Sequence, residues 1–343
     1  MNLYTKKKFN KIISKFSFLT KKDKKNMLEA RFERDYFSLK NNIKVQQYLQ
    51  KHNVYISLTS SPNRLNKVIA VLYTLDLTNV HKIIINIPQK FQNKQKYGIP
   101  KNLLNFPKIV INRKCKKDFG PLMKIIGALY YVKDPNAIII SIDDDTCYPI
   151  GMINTFVEEC IYSKKKIIFG GSCQQLKYFF WSKPNQLKVL KKKWPVKKSK
   201  WPYSDIIEGF AGIVYKAKYL SKLMKIPTLF KSCLVSDDII ISYFMAINNI
   251  SRKQIWKNKV FNLEYIKQFE YGLDKDALHR GFGFIKNISD NHIDINSVKY
   301  YKCLIWLYNQ HQKCIKLYSK KKMSNKKKYK QKISKKCKFF ITP

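Results

Sequence analysis

Three consecutive carboxylates, Asp143, Asp144 and Asp145, end the apolar run that begins at Ala137 and passes through Ile138, Ile139, Ile140 and Ile142. Such a run reads as a buried parallel strand that stops abruptly in charge. Adjacent ionised carboxylates repel one another, and a cation, a helix N-terminus or solvent must compensate them. In an open parallel sheet ligands collect beyond the carboxyl ends of the strands, where this triplet is expected. Alternation along an extended chain sends Asp143 and Asp145 to one side and Asp144 to the other, so the outer pair is the candidate site for a divalent cation. Hard oxygen ligands suit Mn²⁺ or Mg²⁺. A second acidic pair, Asp237 and Asp238, follows Ser236 and precedes an apolar helix. It is either a capped, dipole-compensating helix start or the position of a catalytic base. Lys124 stands near another helix start, where it either reaches a phosphate or is an ordinary exposed lysine; spacing alone favours the second. His279 and His292, in a glycine-punctuated region, are either structural or metal ligands. Trp181, Trp194 and Trp201 form a stacking platform for a sugar or base, or anchor their loop to the core.

The elements that must position these groups alternate. VYISLT from Val54 is a short strand, and Ser60, Ser61 and Pro62 supply an N-cap and a first helical position. Leu65, Val68, Ile69, Leu72 and Leu75 then recur at helical spacing. Residues 81–88 and 108–113 are further strands, and DFGPLMKIIGALYYV from Asp118 is a loop entering a helix, with Leu122, Ile125, Ile126, Leu129 and Tyr130 on its core face. Met152 to Tyr162 is a helix, and residues 165–172 are a strand turning at Gly170 and Gly171. Residues 206–220 combine a small-residue turn, with Gly209 and Gly212, and a strand. Ser297 to Tyr318 is an amphipathic helix. Strands alternating with helices predict an α/β domain around a mostly parallel sheet. The domain spans 51–296, between a basic helical extension at 1–50, read as solvated, and a C-terminal helix with a lysine-rich tail at 297–343.

The chain of 343 residues is 45% hydrophobic and 14% aromatic, enough for a real core rather than general disorder. Lys and Arg total 68 against 22 acids, a net charge of +46 that attracts polyanions or anionic lipid heads. An AT-rich coding bias would write the same lysine excess. Eight cysteines without a Cys-x-x-Cys pair argue against a zinc module. Several, such as Cys147, Cys160 and Cys173, lie in or beside apolar segments and read as small buried thiols, and a reducing compartment fits best. No apolar run is long enough to cross a bilayer, so a cytoplasmic protein, peripheral at most on a membrane, is expected.

In order along the chain, SLTSSPNRL with Arg64, DFGPLMK, SIDDDT, EGFAGIVY and VSDD resemble a nucleotide-sugar glycosyltransferase of the GT-A fold, family-2-like and containing an Asp-x-Asp motif. The resemblance covers roughly residues 52 to 292. It departs from the family pattern in lacking an acidic residue at the end of the first strand and a C-terminal histidine motif. It implies that Asp143 and Asp145, with His279, hold Mn²⁺ or Mg²⁺ against the donor diphosphate. Thr59, Ser60, Arg64, Asp118, Lys124 and Asp144 would be donor contacts. Glu208, Gly209, Phe210, Trp181 and Trp201 would face the acceptor. Asp238, with Asp237 as the alternative, would be the base of an inverting reaction.

The implied partners are a nucleotide-sugar donor and a hydroxyl-bearing glycan, lipid or protein acceptor, with contact to an anionic membrane and no specific nucleic acid. Two other readings compete. Clustered aspartates can hold metals in a nucleic-acid-processing enzyme, although the lysines are spread over the whole length. A non-catalytic basic scaffold binding anionic surfaces is the other.

Overall fold

The isoleucine-rich runs become the middle of a seven-stranded sheet. A computed structural model describes residues 3–31, 43–89, 91, 96–163, 165–175, 204–226, 233–234, 237–255, 266–273 and 295–324. Helices α1 (Leu3–Ser14), α2 (Lys21–Arg31) and α3 (Ile43–Lys51) lead into β1 (Val54–Leu58). Then follow α4 (Val68–Thr74), β2 (Lys82–Asn86), α5 (Lys101–Leu104), β3 (Ile109–Asn112), α6 (Met123–Tyr131) and β4 (Ile138–Ser141). The second half comprises β5 (Thr146–Cys147), α7 (Met152–Tyr162), β6 (Ile167–Gln174), β7 (Ile206–Lys216) and α8 (Ala217–Leu220). It continues through α9 (Asp237–Ile247), β8 (Ser251–Gln254), β9 (Lys267–Gln268) and α10 (Ile295–Ser324).

The strand order is β3-β2-β1-β4-β7-β6-β8, and β5 pairs separately with β9. β7 lies antiparallel to β4 and β6, while the other four pairings are parallel, so the sheet is mostly parallel as the alternation predicts. Side-chain alternation divides the core in two. Ile139, Ile207, Ile213 and Tyr215 pack against α6, α9 and α10 on one face, and Ile138, Ile140 and Val214 pack with α4 and α7 on the other. Each such isoleucine contributes about 1.5–3 kcal/mol by leaving water.

Several local expectations change. The N-terminal helices are not a solvated extension: Phe9, Ile13, Met27, Ala30, Val45 and Leu49 are buried in the second core. Thr20 and Asp23 cap α2 reciprocally, Asp23 N–H donating to Thr20 Oγ1 at 3.1 Å and Thr20 N–H to Asp23 Oδ2 at 3.2 Å. Residues 206–216 form one continuous strand rather than a turn and a strand. β6 does not turn at its glycines; its register with β7 shifts there, between Gly170 and Ser172. The thiol expectation fails for Cys233 and Cys303, which form a disulfide across a sequence separation of 70 that no spacing rule would flag. Cys115, Cys147, Cys160 and Cys173 are free. Among the described residues no helix is long and apolar enough to cross a membrane.

Candidate active site

The carboxyl ends of β1 and β4 meet the start of α6, the early part of β7 and the start of α9. Ser141 is the last residue of β4, so the acid triplet lies in a turn beyond the strand and does not alternate as an extended chain would. Asp143 turns to Lys124, its Oδ1 2.5 Å from Nζ. Asp144 and Asp145 instead share one guanidinium, Arg64 Nη2 bonding Asp144 Oδ1 and lying 2.7 Å from Asp145 Oδ2. The triplet is thus grouped as one plus two, in place of the expected pairing of Asp143 with Asp145.

Ser60, expected as a helix cap, donates its hydroxyl to Asp144 Oδ2 at 2.5 Å, and the first helical turn shows no side-chain cap bond. Thr59 donates to the Asn86 carbonyl at 2.7 Å. Tyr97 donates to the Ser60 carbonyl at 3.0 Å, Tyr271 to the Asp144 carbonyl at 2.9 Å, and Gln268 Nε2 to Asp145 Oδ2 at 3.2 Å. Tyr148 closes the back of the site: its hydroxyl accepts the Asp143 N–H and donates to the Phe210 carbonyl, both at 2.8 Å.

Lys124 departs most from its expected place. Only 2% of its side chain is exposed, and its ammonium lies between Asp143 and Asp237, 2.8 Å from Asp237 Oδ2. Burial opposes its charge, and Asp143, Asp237 and Asp238 outweigh that cost, holding the amine well above the ordinary lysine value. Its backbone is fixed too. Ser57 donates to the Lys124 carbonyl; Asn86 Nδ2 donates to Ser57 Oγ at 2.8 Å, and Asn112 Nδ2 donates to Asn86 Oδ1 at 2.7 Å and to the Gly127 carbonyl at 2.8 Å. This buried polar chain ties β1, β2 and β3 to α6. Asp118, expected to meet the donor, accepts the Gly120 N–H at 2.8 Å and shapes the turn into α6. Gly120 has φ +59°, and a Cβ there would run into the Leu234 carbonyl, so glycine is required.

At α9, Asp237 is buried against Lys124 while Asp238 keeps partial exposure and accepts the Gly209 N–H at 2.8 Å. Burial pushes the Asp238 carboxyl well above the carboxylate range, with Asp237 adding to the rise and Lys124 and Gly209 opposing it. Gly209 must lack a side chain: a Cβ would stand 2.5 Å from Lys124 Nζ and 3.2 Å from Asp238 Oδ1. Glu208 accepts from Ser172 Oγ at 2.5 Å and Gln174 Nε2 at 2.9 Å, and burial raises its carboxyl. Phe210, two residues on, is 46% exposed.

Asp144 rises to about 6: burial pushes it up, Arg64 and Ser60 pull it down, and its acidic neighbours push it up further. Burial opposes the Arg64 charge too, but Asp144 and Asp145 prevail and hold the guanidinium ionised. Asp143, Asp144, Asp145, Glu208, Asp237 and Asp238 thus face Arg64 and Lys124, a locally acidic site in a chain of net charge +46.

Among the described residues no cluster of three or more His, Cys, Asp or Glu is arranged to hold a metal ion. His279, Trp181 and Trp201, with His292, Trp194 and Ser236, lie outside the described residues. The Ser57, Asn86 and Asn112 chain and the roof formed by Gln268 and Tyr271 were not legible as site residues. Buried asparagines ending β2 and β3 were the available sign.

No protein-family model matches the chain, and no curated protein matches it. Among solved structures it is similar to the mannosyltransferase PcManGT from Pyrobaculum calidifontis in complex with GDP-Man and Mn²⁺, at 13% identity over 68% of this chain with a TM-score of 0.35. The chain spans 65% of the length of that protein. No residue role is carried across at that similarity.

Proposed function

We propose that the protein is a GT-A type glycosyltransferase that moves a sugar from a nucleoside-diphosphate donor to a hydroxyl acceptor with inversion. The observation that carries this reading is the gathering of all five chemistry-bearing segments at one sheet edge, with a partly exposed carboxylate of raised pKa, Asp238, beside them. Transfer needs a group to take the acceptor proton and a means of stabilising the diphosphate as it leaves.

Asp238 is the better base. It keeps partial exposure and its oxygen is aligned by the Gly209 N–H, whereas Asp237 is buried and engaged with Lys124. Lys124 acts through the carboxylates it joins, holding Asp143 on one side and Asp237 on the other. Arg64 holds Asp144 and Asp145 in place beside the donor. Glu208 and Phe210 form the acceptor side, the first as a hydrogen-bonding group and the second as a ring face for a sugar.

The site suits Mn²⁺ or Mg²⁺ in its chemistry: hard carboxylate oxygens in excess over local cations, with Asp143 still 28% exposed. Magnesium-like sites need only one or two carboxylates when substrate phosphates complete the shell, so Asp143, the member of the triplet that stays open to solvent, would hold such an ion together with the donor phosphates. When bound, it would supply charge stabilisation to the leaving diphosphate.

The test is a donor screen. With Mn²⁺ present, one nucleotide sugar of a panel is expected to release its nucleoside diphosphate, and Asp143→Ala is expected to reduce that release at least 100-fold with the fold intact. Release from no donor, or full activity in the variant, would refute the assignment.

A further inference from the structure

The N-terminal helices reach the site through one carboxylate. Asp23 is fully buried in α2, and besides its capping bonds its Oδ1 accepts the Glu270 N–H at 3.0 Å. That amide belongs to residues 266–273, the segment that roofs the acid triplet. Phe269 N–H donates to the Asp145 carbonyl at 2.7 Å, Gln268 reaches Asp145 Oδ2, and Tyr271 reaches the Asp144 carbonyl. Thr146 and Cys147, immediately after the triplet, pair with Gln268 and Lys267. The Tyr271 ring meets Phe18 edge-on at 5.9 Å and stacks on Phe269 at 5.3 Å. α2 also holds the far side of this turn, where Ile150 N–H donates to the Ala30 carbonyl at 2.9 Å.

We infer that Asp23 is a positioning residue for the acid triplet, acting through Glu270 and the 266–273 roof, so that α2 helps to shape the site. The inference rests on the function proposed above for its catalytic consequence, but not for its mechanical one. A buried carboxylate oxygen bonded to a backbone N–H 247 residues away fixes that amide. The roof it anchors contacts both residues that Arg64 gathers, Asp144 through its backbone carbonyl and Asp145 through its carbonyl and carboxylate. Loss of the bond should therefore loosen the triplet.

Two variants of the full-length protein separate this from simple helix stability. Thr20→Val removes the capping bond from the residue-23 N–H to Thr20 Oγ1 without touching Glu270, whereas Asp23→Ala removes the bonds that the Asp23 carboxylate accepts from the Thr20 and Glu270 N–H groups. Amide hydrogen exchange is expected to quicken at least tenfold over 143–147 and 266–273 in Asp23→Ala and to stay within twofold of wild type there in Thr20→Val. Equal exchange in the two variants would overturn the inference whatever the protein's activity. The second readout is binding of Mn²⁺ with UDP and with GDP, followed by the loss of free Mn²⁺ signal in electron paramagnetic resonance. Asp23→Ala is expected to weaken it five- to tenfold and Thr20→Val by less than twofold. Weakening in Asp143→Ala alone would overturn the positioning role while sparing the proposed function. No binding by wild type with either nucleotide would count against the proposed function, and the exchange comparison would still decide the mechanical link.

Discussion

The two cations of the site sit in similar acidic company and are built for different purposes. Arg64 gathers Asp144 and Asp145 under Tyr271 and Gln268, and both carboxylates are largely shielded. Lys124 is more deeply buried than Arg64, yet the carboxylates around it, Asp143 and Asp238, retain contact with solvent. The guanidinium makes a closed arrangement in which one nitrogen, Nη2, draws two shielded carboxylates together, whereas the ammonium is a point charge among groups that can still meet a ligand. One arm holds its carboxylates away from solvent, and the other leaves two of its carboxylates open to it.

The largest effect is expected at the Lys124 arm. Lys124→Met preserves most of the volume and leaves Asp143, Asp237 and Asp238 without their shared cation, which should cost about 3–5 kcal/mol of stability. Urea unfolding measures this, and a loss below 1 kcal/mol would mean that the carboxylates protonate or reorganise without difficulty. Arg64→Lys retains a charge for the two carboxylates that Nη2 now joins, so a smaller loss there would show that the arms differ in kind.

Lys124 also shows where the sequence was legible and where it was not. The alternating strands and helices, the sheet's parallel character and the end of β4 followed from apolar runs and their punctuation. α7 occupies the very residues its periodicity marks. Side-chain partnership across the fold did not follow. Spacing on α6 placed Lys124 off the core face, because an amphipathic pattern cannot register a lysine buried with acids from two other elements. Alternation misassigned the triplet because the chain turns after Ser141, and no local signal in Asp-Asp-Asp announces that turn. Asp23 carried no signal at all: its role depends on a bond between residues 247 apart in the chain.

The next effect sharpens the contrast through pH. Asp144 has a folded pKa of about 6, above its ordinary 3.8, so the native state holds this proton more tightly than the unfolded chain. Its stabilising contribution is therefore complete below about pH 4 and is lost as pH rises through 6, by about 2–3 kcal/mol. Asp144→Asn should flatten the stability profile between pH 4 and 7, as thermal denaturation across that range would show. Activity should run the opposite way, rising with pH as Asp238 loses its proton, because a base must be ionised to act. A rate that falls as pH rises would remove Asp238 from the role of base.

Gly209→Ala tests the closeness of the Lys124 arm to β7. The added methyl would meet an ammonium already clamped between two carboxylates, so about 1–3 kcal/mol of stability should be lost. Turnover should drop at least tenfold, since Asp238 takes its alignment from the Gly209 N–H. Unchanged turnover would show that this alignment is dispensable.

Phe210 should give the smallest change in stability and the clearest separation of donor from acceptor. Its ring is 46% exposed while its backbone carbonyl is held by Tyr148, so Phe210→Ala removes a surface without disturbing the chain beneath it. Stability should stay within about 0.5 kcal/mol of wild type, as for most surface substitutions. Donor hydrolysis, which depends on the Arg64 and Lys124 arms, should be unaltered. Transfer to an added acceptor should show a KM raised about tenfold at similar kcat, because a lost ring face weakens ground-state and transition-state binding alike. Were hydrolysis to fall in step with transfer, Phe210 would belong with the donor, and the acceptor side would have to be sought elsewhere along β6 and β7.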